Sequence, residues 1–466
     1  MMFILNTTDR HPLHVKLYNQ IKEQISAGKL LPHSKLPSVR HLSQELAISR
    51  NTVEYAYGQL CTEGYIYSKP QSGYYVSLLE QEFTPHTFQN TASPLEQTFE
   101  KPYLFDFHPA VLAPDSFPIK IWRKLLLDCL QKNLEKLSSY SNSQGEIKLR
   151  SEIQKYLERF RGVACTTEQI VICSGLQDSM SIIAQLLRAK HSTLAVEDPG
   201  HWIPKSVFQN NSYSIRCIPV NATGINLDYL QNSNSTIVYV TPSHQFPLGY
   251  TMPVENRLKL LHWAENVEGV IIEDDYDSEL RYHGKPIPAL QGLHPKGNII
   301  YVGTFSKVLS PILRVSYMVL PYHLLTAYQQ QFGNYAAAAS LLEQLTLYEF
   351  MKQGYWERHL RKMRTVYRKK HDALLNAIER HFGNCVTILG QGAGLHLVIE
   401  LIGNSGNEKD LICRAEEKNI RIHPLTDTYH SDNHQSAKIM LGFGKMTPEQ
   451  LDKGIRQLAE AWHLCQ

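Results

Sequence analysis

Gly303-Thr304-Phe305-Ser306-Lys307, with Arg314 seven residues further on, decides how this chain reads. The segment follows the apolar run Asn298-Ile299-Ile300-Tyr301-Val302, so Lys307 closes a turn after a buried strand. A lysine in that place forms a Schiff base with an aldehyde cofactor, or it is a solvated surface residue. Thr304 and Ser306 add hydroxyls and Arg314 a guanidinium, a donor set suited to a phosphate. About thirty residues earlier, Glu273-Asp274-Asp275-Tyr276-Asp277 ends a Val270-Ile271-Ile272 strand. Asp274 there suits a pyridine nitrogen. A carboxylate about 4 Å away in an effective dielectric near 20 contributes roughly 4 kcal/mol, enough to keep such a ring protonated at neutral pH. Tyr276 is a donor for the ring oxygen. Taken alone, the acidic cluster reads equally as a metal site or a solvated loop end.

Outward from this pair the pattern repeats. Ser174-Gly175-Leu176-Gln177 follows Ile170-Val171-Ile172-Cys173 and opens a helix whose free N–H groups suit a phosphate, although small residues after a strand are also ordinary turn chemistry. His201 follows Glu197-Asp198-Pro199-Gly200 at another strand end, where its ring would stack on a cofactor face or simply begin a helix. Ser235-Thr236-Ile237-Val238-Tyr239-Val240 is a further strand. Near-continuous apolar strands alternating with helical patterns argue an α/β domain with a largely parallel sheet, which presents ligand groups at its strand ends. After Phe332 the chain reads as helical, through 336–339 and a basic run over 358–370. Arg358, Arg361, Arg364 and Arg368 there share a face, as a second DNA patch or as a solvated surface. An α+β segment follows, with strands near 394–401 and 438–443.

The first 79 residues are different in kind. Leu13, Leu17, Ile21 and Ile25 mark one face of a helix that Gly28 ends. Ser38 caps a second helix carrying Val39, Leu42 and Leu46, and Ser49 caps a third carrying Val53, Ala56, Tyr57 and Leu60, which Gly64 breaks. Tyr65-Ile66-Tyr67 and Tyr74-Tyr75-Val76 form a hairpin around Pro70-Gln71-Ser72-Gly73. Three helices and a hairpin make a winged helix-turn-helix, or else a small helical domain for protein contacts. In the first case Arg50, Asn51 and Thr52 lead the third helix into the major groove, while Arg40 and the wing residue Lys69 meet the backbone. Residues 80–102 carry three prolines and no periodicity, and read as a linker between domains 1–79 and 103–466.

Composition sets bounds. A formal charge of +3 over 466 residues excludes a polybasic nucleic-acid binder, so any DNA contact must be local. Residues 1–79 carry eight Lys+Arg against five Asp+Glu. Eight cysteines without a C-x-x-C pair suggest neither a zinc site nor a disulfide framework, and no metal is expected. The N-terminus lacks a basic, apolar leader, and no stretch approaches the roughly 20 apolar residues of a membrane span. The expectation is a cytoplasmic protein with reduced thiols.

Two resemblances become specific on these residues. Leu36-Pro37-Ser38-Val39-Arg40-His41-Leu42, then Ser49-Arg50-Asn51-Thr52-Val53, Glu63-Gly64 and the Ser72-Gly73 wing resemble the GntR-type winged helix. The ordered series from Ser174 through Thr241-Pro242-Ser243-His244-Gln245 to Lys307 and Arg314 resembles the fold-type I aminotransferases, which bind pyridoxal 5'-phosphate (PLP). Together they resemble the MocR-type subfamily of GntR transcriptional regulators. The resemblance implies an N-terminal winged helix-turn-helix and a C-terminal α/β aminotransferase-like domain with a small α+β subdomain. It implies operator binding by Arg40, Arg50, Thr52 and the wing, including Ser72 and Gly73. It implies Lys307 as the covalent PLP lysine and sole catalytic candidate, Asp274 at the ring nitrogen and Tyr276 at the ring hydroxyl. Ser174, Gly175, Thr304, Ser306 and Arg314 would hold the phosphate. Tyr140 would reach across a head-to-tail homodimer. The expected function is transcriptional regulation in response to PLP or its adduct with an amine, in vitamin B6 or amino-compound metabolism. The rival is a working aminotransferase with an accessory winged helix. Departures bear on turnover: His201 stands where an aromatic is usual, Phe246-Pro247-Leu248-Gly249 replaces an Asn-Pro-Thr-Gly run, and Met440 stands where an arginine often grips a substrate carboxylate.

Overall fold

A computed structural model describes residues 11–79, 102–282, 284, 287–403, 408–431 and 437–463. The chain divides into two compact units, residues 1–100 and 101–466. Apart from Pro102, the expected linker lies outside the described residues.

In the first unit α1 (Leu13–Ser26), α2 (Val39–Glu45) and α3 (Arg50–Thr62) precede β1 (Ile66–Lys69) and β2 (Gly73–Val76), an antiparallel pair. Leu17, Ile21, Leu42, Val53, Ala56, Tyr57 and Leu60 close the core, and the Tyr57 hydroxyl donates to the Pro37 carbonyl at 3.0 Å. Both expected caps form: Ser38 Oγ accepts the His41 N–H at 3.2 Å and Ser49 Oγ accepts that of Thr52 at 3.1 Å. The wing turns through Gln71 and Gly73, both at positive φ, the latter at +107°.

In the second unit a short β3 (Phe105–Asp106) precedes an eight-stranded sheet among the described residues. Its members are β4 (Ile170–Cys173), β5 (Thr193–Asp198), β6 (Ser214–Asn221), β7 (Gly224–Ile225), β8 (Ile237–Val240), β9 (Val270–Asp275), β10 (Ile299–Thr304) and β11 (Ser316–Val319). Their order is β4-β11-β10-β9-β8-β5-β6-β7. The five expected strands are present, and β6, β5, β8, β9 and β10 pair in parallel in that order. The sheet is mixed because β11 inserts antiparallel between β4 and β10 and β7 pairs antiparallel with β6 at the other edge. Side chains alternate between two cores. Ile170, Ile172, Tyr301 and Tyr317 meet the helices Ile147–Arg161 and Tyr355–Phe382, while Val171, Cys173, Val302 and Met318 meet the helix Leu176–Leu187. The C-terminal subdomain is a second sheet of β12 (Val386–Leu389), β13 (His396–Leu401), β15 (His423–Pro424) and β16 (Lys438–Gly442), with β14 (Ile420–Arg421) pairing β3.

Three readings need correction. Residues 336–339 are not helical: the chain leaves its helix at Phe332–Gly333 and re-enters only at Leu341. On the basic face Arg358, Arg361 and Arg368 are exposed, as a solvated face requires, but Arg364 is half-buried. Arg364 donates to the Glu279 carbonyl at 2.6 Å, and the buried Lys370 to that of Gly444 at 2.7 Å. Cys385 is disulfide-bonded, while six other cysteines are free; sequence spacing holds no information on which thiols a fold brings together. No helix among the described residues is long and apolar enough to cross a membrane, and they contain no cluster fit to hold a metal ion.

Candidate functional site

The C-terminal ends of β4, β5, β9 and β10 deliver their polar groups into one cavity of about 480 Å³. Gly175, His201, Asp274, Tyr276, Thr304, Ser306, Lys307 and Arg314 all line it, which brings together residues spread over 140 positions of sequence. Lys307 and Tyr276 are half-buried, because the exposed part of each faces the cavity. The lysine Nζ lies 5.9 Å from the Tyr276 ring centre. Burial holds the Lys307 amine below its ordinary pKa, against the pull of Asp277 and Asp274.

Asp274 is buried, and burial pushes its carboxyl up to about 7 although the Tyr239 hydroxyl donates to it. The carboxyl thus titrates near neutrality and would gain a charge partner in a cationic ring. Beside it, the Tyr276 hydroxyl lies 3.0 Å from His244 Nδ1, which lies 2.9 Å from Asp277 Oδ2. The Asp277 carboxylate accepts, which sets the Nδ1–H tautomer. Glu197, below the turn that carries His201, accepts from the Thr241 hydroxyl at 2.6 Å and is pushed by burial up to about 8.

The phosphate end has a second character. Thr304 Oγ1 accepts the Ser306 N–H at 3.1 Å and shares a 3.0 Å bond with its hydroxyl. Arg314, in the left-handed region at φ +51°, donates to the Ser174 carbonyl at 3.0 Å. Gly175 has φ +85°, and a Cβ there would come within 2.4 Å of the Arg314 guanidinium. Backbone thereby approaches the cation as closely as glycine alone allows, at the N-terminus of the helix Leu176–Leu187. A neutralisable buried carboxyl, a lysine with depressed basicity and a phosphate cradle bounded by two hydroxyls and a guanidinium fit PLP in donor type and in room.

Some residues stand elsewhere. Ser174 takes part through its carbonyl rather than its hydroxyl. His201 caps the helix Trp202–Asn210, its ring lies within 21° of parallel to that of Trp202, and burial lowers it to about 4. Tyr140 is 94% exposed and lies apart from the cavity of its own chain, in a shallow depression with Asn142 and Tyr335. Sequence reading missed Tyr239, His244 and Asp277 as site residues; their contacts cross 32 to 35 positions, and only adjacency of β8 and β9 brings them together. It also missed the outer lining, Trp202, His423, Asp427 and Thr428.

In the first unit Arg40, Arg50, Asn51 and Lys69 are exposed. The Thr52 hydroxyl is engaged with Ser49 at 2.8 Å, and that of Ser72 with Tyr75 at 2.7 Å. Lys69 Nζ sits 4.7 Å above the Tyr75 ring.

Fold and site together define a PLP-binding aminotransferase-type domain carrying a DNA-binding winged helix. The comparisons agree. Residues 13–76 match the model of bacterial regulatory proteins of the gntR family, and residues 113–458 match aminotransferase class I and II. The chain is 38% identical over 99% of both chains to the uncharacterized HTH-type transcriptional regulator YdeL of Bacillus subtilis (strain 168). It is 32% identical, over 99% of itself and 96% of its relative, to the probable rhizopine catabolism regulatory protein MocR of Rhizobium meliloti. Among solved structures it resembles the multiple substrate aminotransferase of Thermococcus profundus, at TM-score 0.70 and 25% identity over 78% of this chain and 92% of that one. The chain belongs to the aminotransferase class I and II family, in its MocR-type branch of GntR transcriptional regulators.

Proposed function

We propose that this regulator reads PLP, or an amine presented to bound PLP, and converts the result into a change of operator affinity. The observation that carries this is the single cavity in which Lys307, Asp274 and the Gly175–Arg314 cradle converge. When bound, PLP supplies an aldehyde that takes up primary amines and a ring that withdraws electrons. Lys307 is its covalent anchor, and its depressed basicity keeps a larger neutral fraction available for that attachment. Asp274 would hold the ring nitrogen's proton and Tyr276 would meet the ring hydroxyl, with the His244–Asp277 pair fixing the Tyr276 phenol. Gly175, Thr304, Ser306 and Arg314 would hold the phosphate, with the Ser174 carbonyl holding the Arg314 guanidinium in place. His201, which lines the same cavity, would flank the ring.

Operator contact falls to Arg50, Asn51 and Thr52 at the start of α3, with Arg40, Lys69, Ser72 and Gly73 positioning the backbone. We place the protein in the cytoplasm as a homodimer, with Tyr140 serving the partner's cavity. Vitamin B6 supply and amino-compound use are the two metabolic settings that suit such a sensor. The test is binding of cofactor-free protein to its own upstream DNA at fixed salt, titrated with PLP. A PLP-dependent change in affinity supports a cofactor sensor. Binding that changes only when an amine is added to the loaded protein supports an amine sensor. Absence of DNA binding overturns the regulatory reading and favours an enzyme.

A further inference from the structure

The cavity has two ends of opposite chemistry. Lys307 and Arg314 are the lysine and arginine that line it among the described residues, and both stand at the phosphate and anchor end. The outer end is built from Pro109, Trp202, Pro424 and Met440, with His423, Asp427 and Thr428. His423 carries no positive charge near neutrality: burial first, then His108 and Arg421, lower it to about 4. Among the described lining residues that leaves the exposed carboxylate of Asp427 as the charge of the outer end.

Its position is fixed. Asp427 sits in the short turn Thr426–Thr428, and the Thr428 carbonyl accepts the Gly200 N–H at 2.9 Å. Just beyond, the His430 N–H donates to Asp198 Oδ1 at 2.7 Å and the Ser431 hydroxyl to Oδ2 at 2.5 Å. On the other side the Leu425 N–H donates to Lys438. The turn is therefore tied to the strand end that carries His201 and to β16, and it cannot leave the cavity mouth without breaking these four hydrogen bonds.

We propose that the effector is a primary amine with a cationic far end, the diamine class, whose second ammonium pairs with Asp427. An amino acid would bring its carboxylate to an end lined by apolar groups, neutral imidazole and a like charge, where desolvation goes uncompensated. This rests on the reading of Lys307 as the PLP anchor.

The test uses the full chain loaded with PLP, first checked for borohydride-fixable cofactor on Lys307. Putrescine, butylamine and γ-aminobutyrate, which share one carbon skeleton length and differ at the far end, are titrated by calorimetry and by the cofactor's absorbance. Putrescine is expected to bind roughly fivefold tighter than butylamine, the size an exposed ion pair supports, and γ-aminobutyrate more weakly than either. Asp427→Asn should bring putrescine down to the level of butylamine. Tighter binding of γ-aminobutyrate than of putrescine overturns the proposal, as does a putrescine preference that survives Asp427→Asn. Absence of fixable cofactor in the starting protein overturns the underlying site reading instead.

Discussion

The winged helix and the cavity present their functional groups in contrary ways. In the winged helix Arg40, Arg50, Asn51 and Lys69 are exposed to solvent, with Lys69 alone of the four lying over an aromatic ring, that of Tyr75. In the cavity Asp274, Asp277 and His244 are buried and tied to Tyr239, Tyr276 and one another. Solvent screens the first set, so its contribution should fall with salt. Low dielectric amplifies the second, so its contribution should follow pH and protonation state. One chain thus joins a salt-sensitive surface to a pH-sensitive interior.

The largest expected effect sharpens this contrast. Lys307→Ala should abolish borohydride-fixable PLP, read as loss of the cofactor mass on the intact chain, while operator affinity without PLP stays as it was. Cofactor still fixed to the variant would remove Lys307 from the anchor role. Next in size, Arg50→Ala should weaken operator binding by about 10- to 100-fold and relax base preference, as loss of a base-edge contact does. Lys69→Ala should act uniformly across sequences and lower the salt slope by about 1. An unchanged slope would take the wing lysine off the phosphate backbone.

The smallest effect concerns the cofactor-free interior. The Asp274 carboxyl, ordinarily ionising near 3.8, is raised to about 7 in the fold. Between those values the folded chain holds a proton that the unfolded chain has released. Stability from this group is therefore fully present below pH 4 and is lost as pH rises through 7. Asp274→Asn should flatten that part of the melting-temperature profile of the cofactor-free protein. Glu197 and Glu273, raised to about 8 and about 7 by burial, would keep a residual slope. A profile identical to the parent's would mean Asp274 is ionised throughout.

Much of this was legible in the chain because local rules govern it. Ser38 and Ser49 announce their helices by chemistry that operates within three residues, and the cap bonds form as that chemistry requires. The strands ending at Asp198, Asp275 and Thr304 are buried on both faces, so they begin as unbroken apolar runs. The unread strands have other physics. β6 alternates, with Ser214 and Arg216 exposed and Ile215 and Cys217 half-buried, and β11 is four residues inserted antiparallel directly after the Arg314 turn. His244 and Asp277 are likewise ordinary residues until β8 and β9 lie side by side. Asp427 gains meaning only from the distant bonds that hold its turn, to Gly200 and Asp198. Ala336 to Ala339 misled because alanine favours helix only where the chain continues one, and Gly333 had already ended it.

The most direct test of the central claim, that cofactor and operator are read by one coupled protein, is the affinity of the cofactor-free chain for PLP with and without saturating operator DNA. Linkage requires that operator change PLP affinity by the same factor by which PLP changes operator affinity. The account predicts two equal factors different from one, for PLP alone or for PLP carrying its amine effector. A PLP affinity indifferent to operator, beside an operator affinity indifferent to both PLP and its amine adducts, would contradict it.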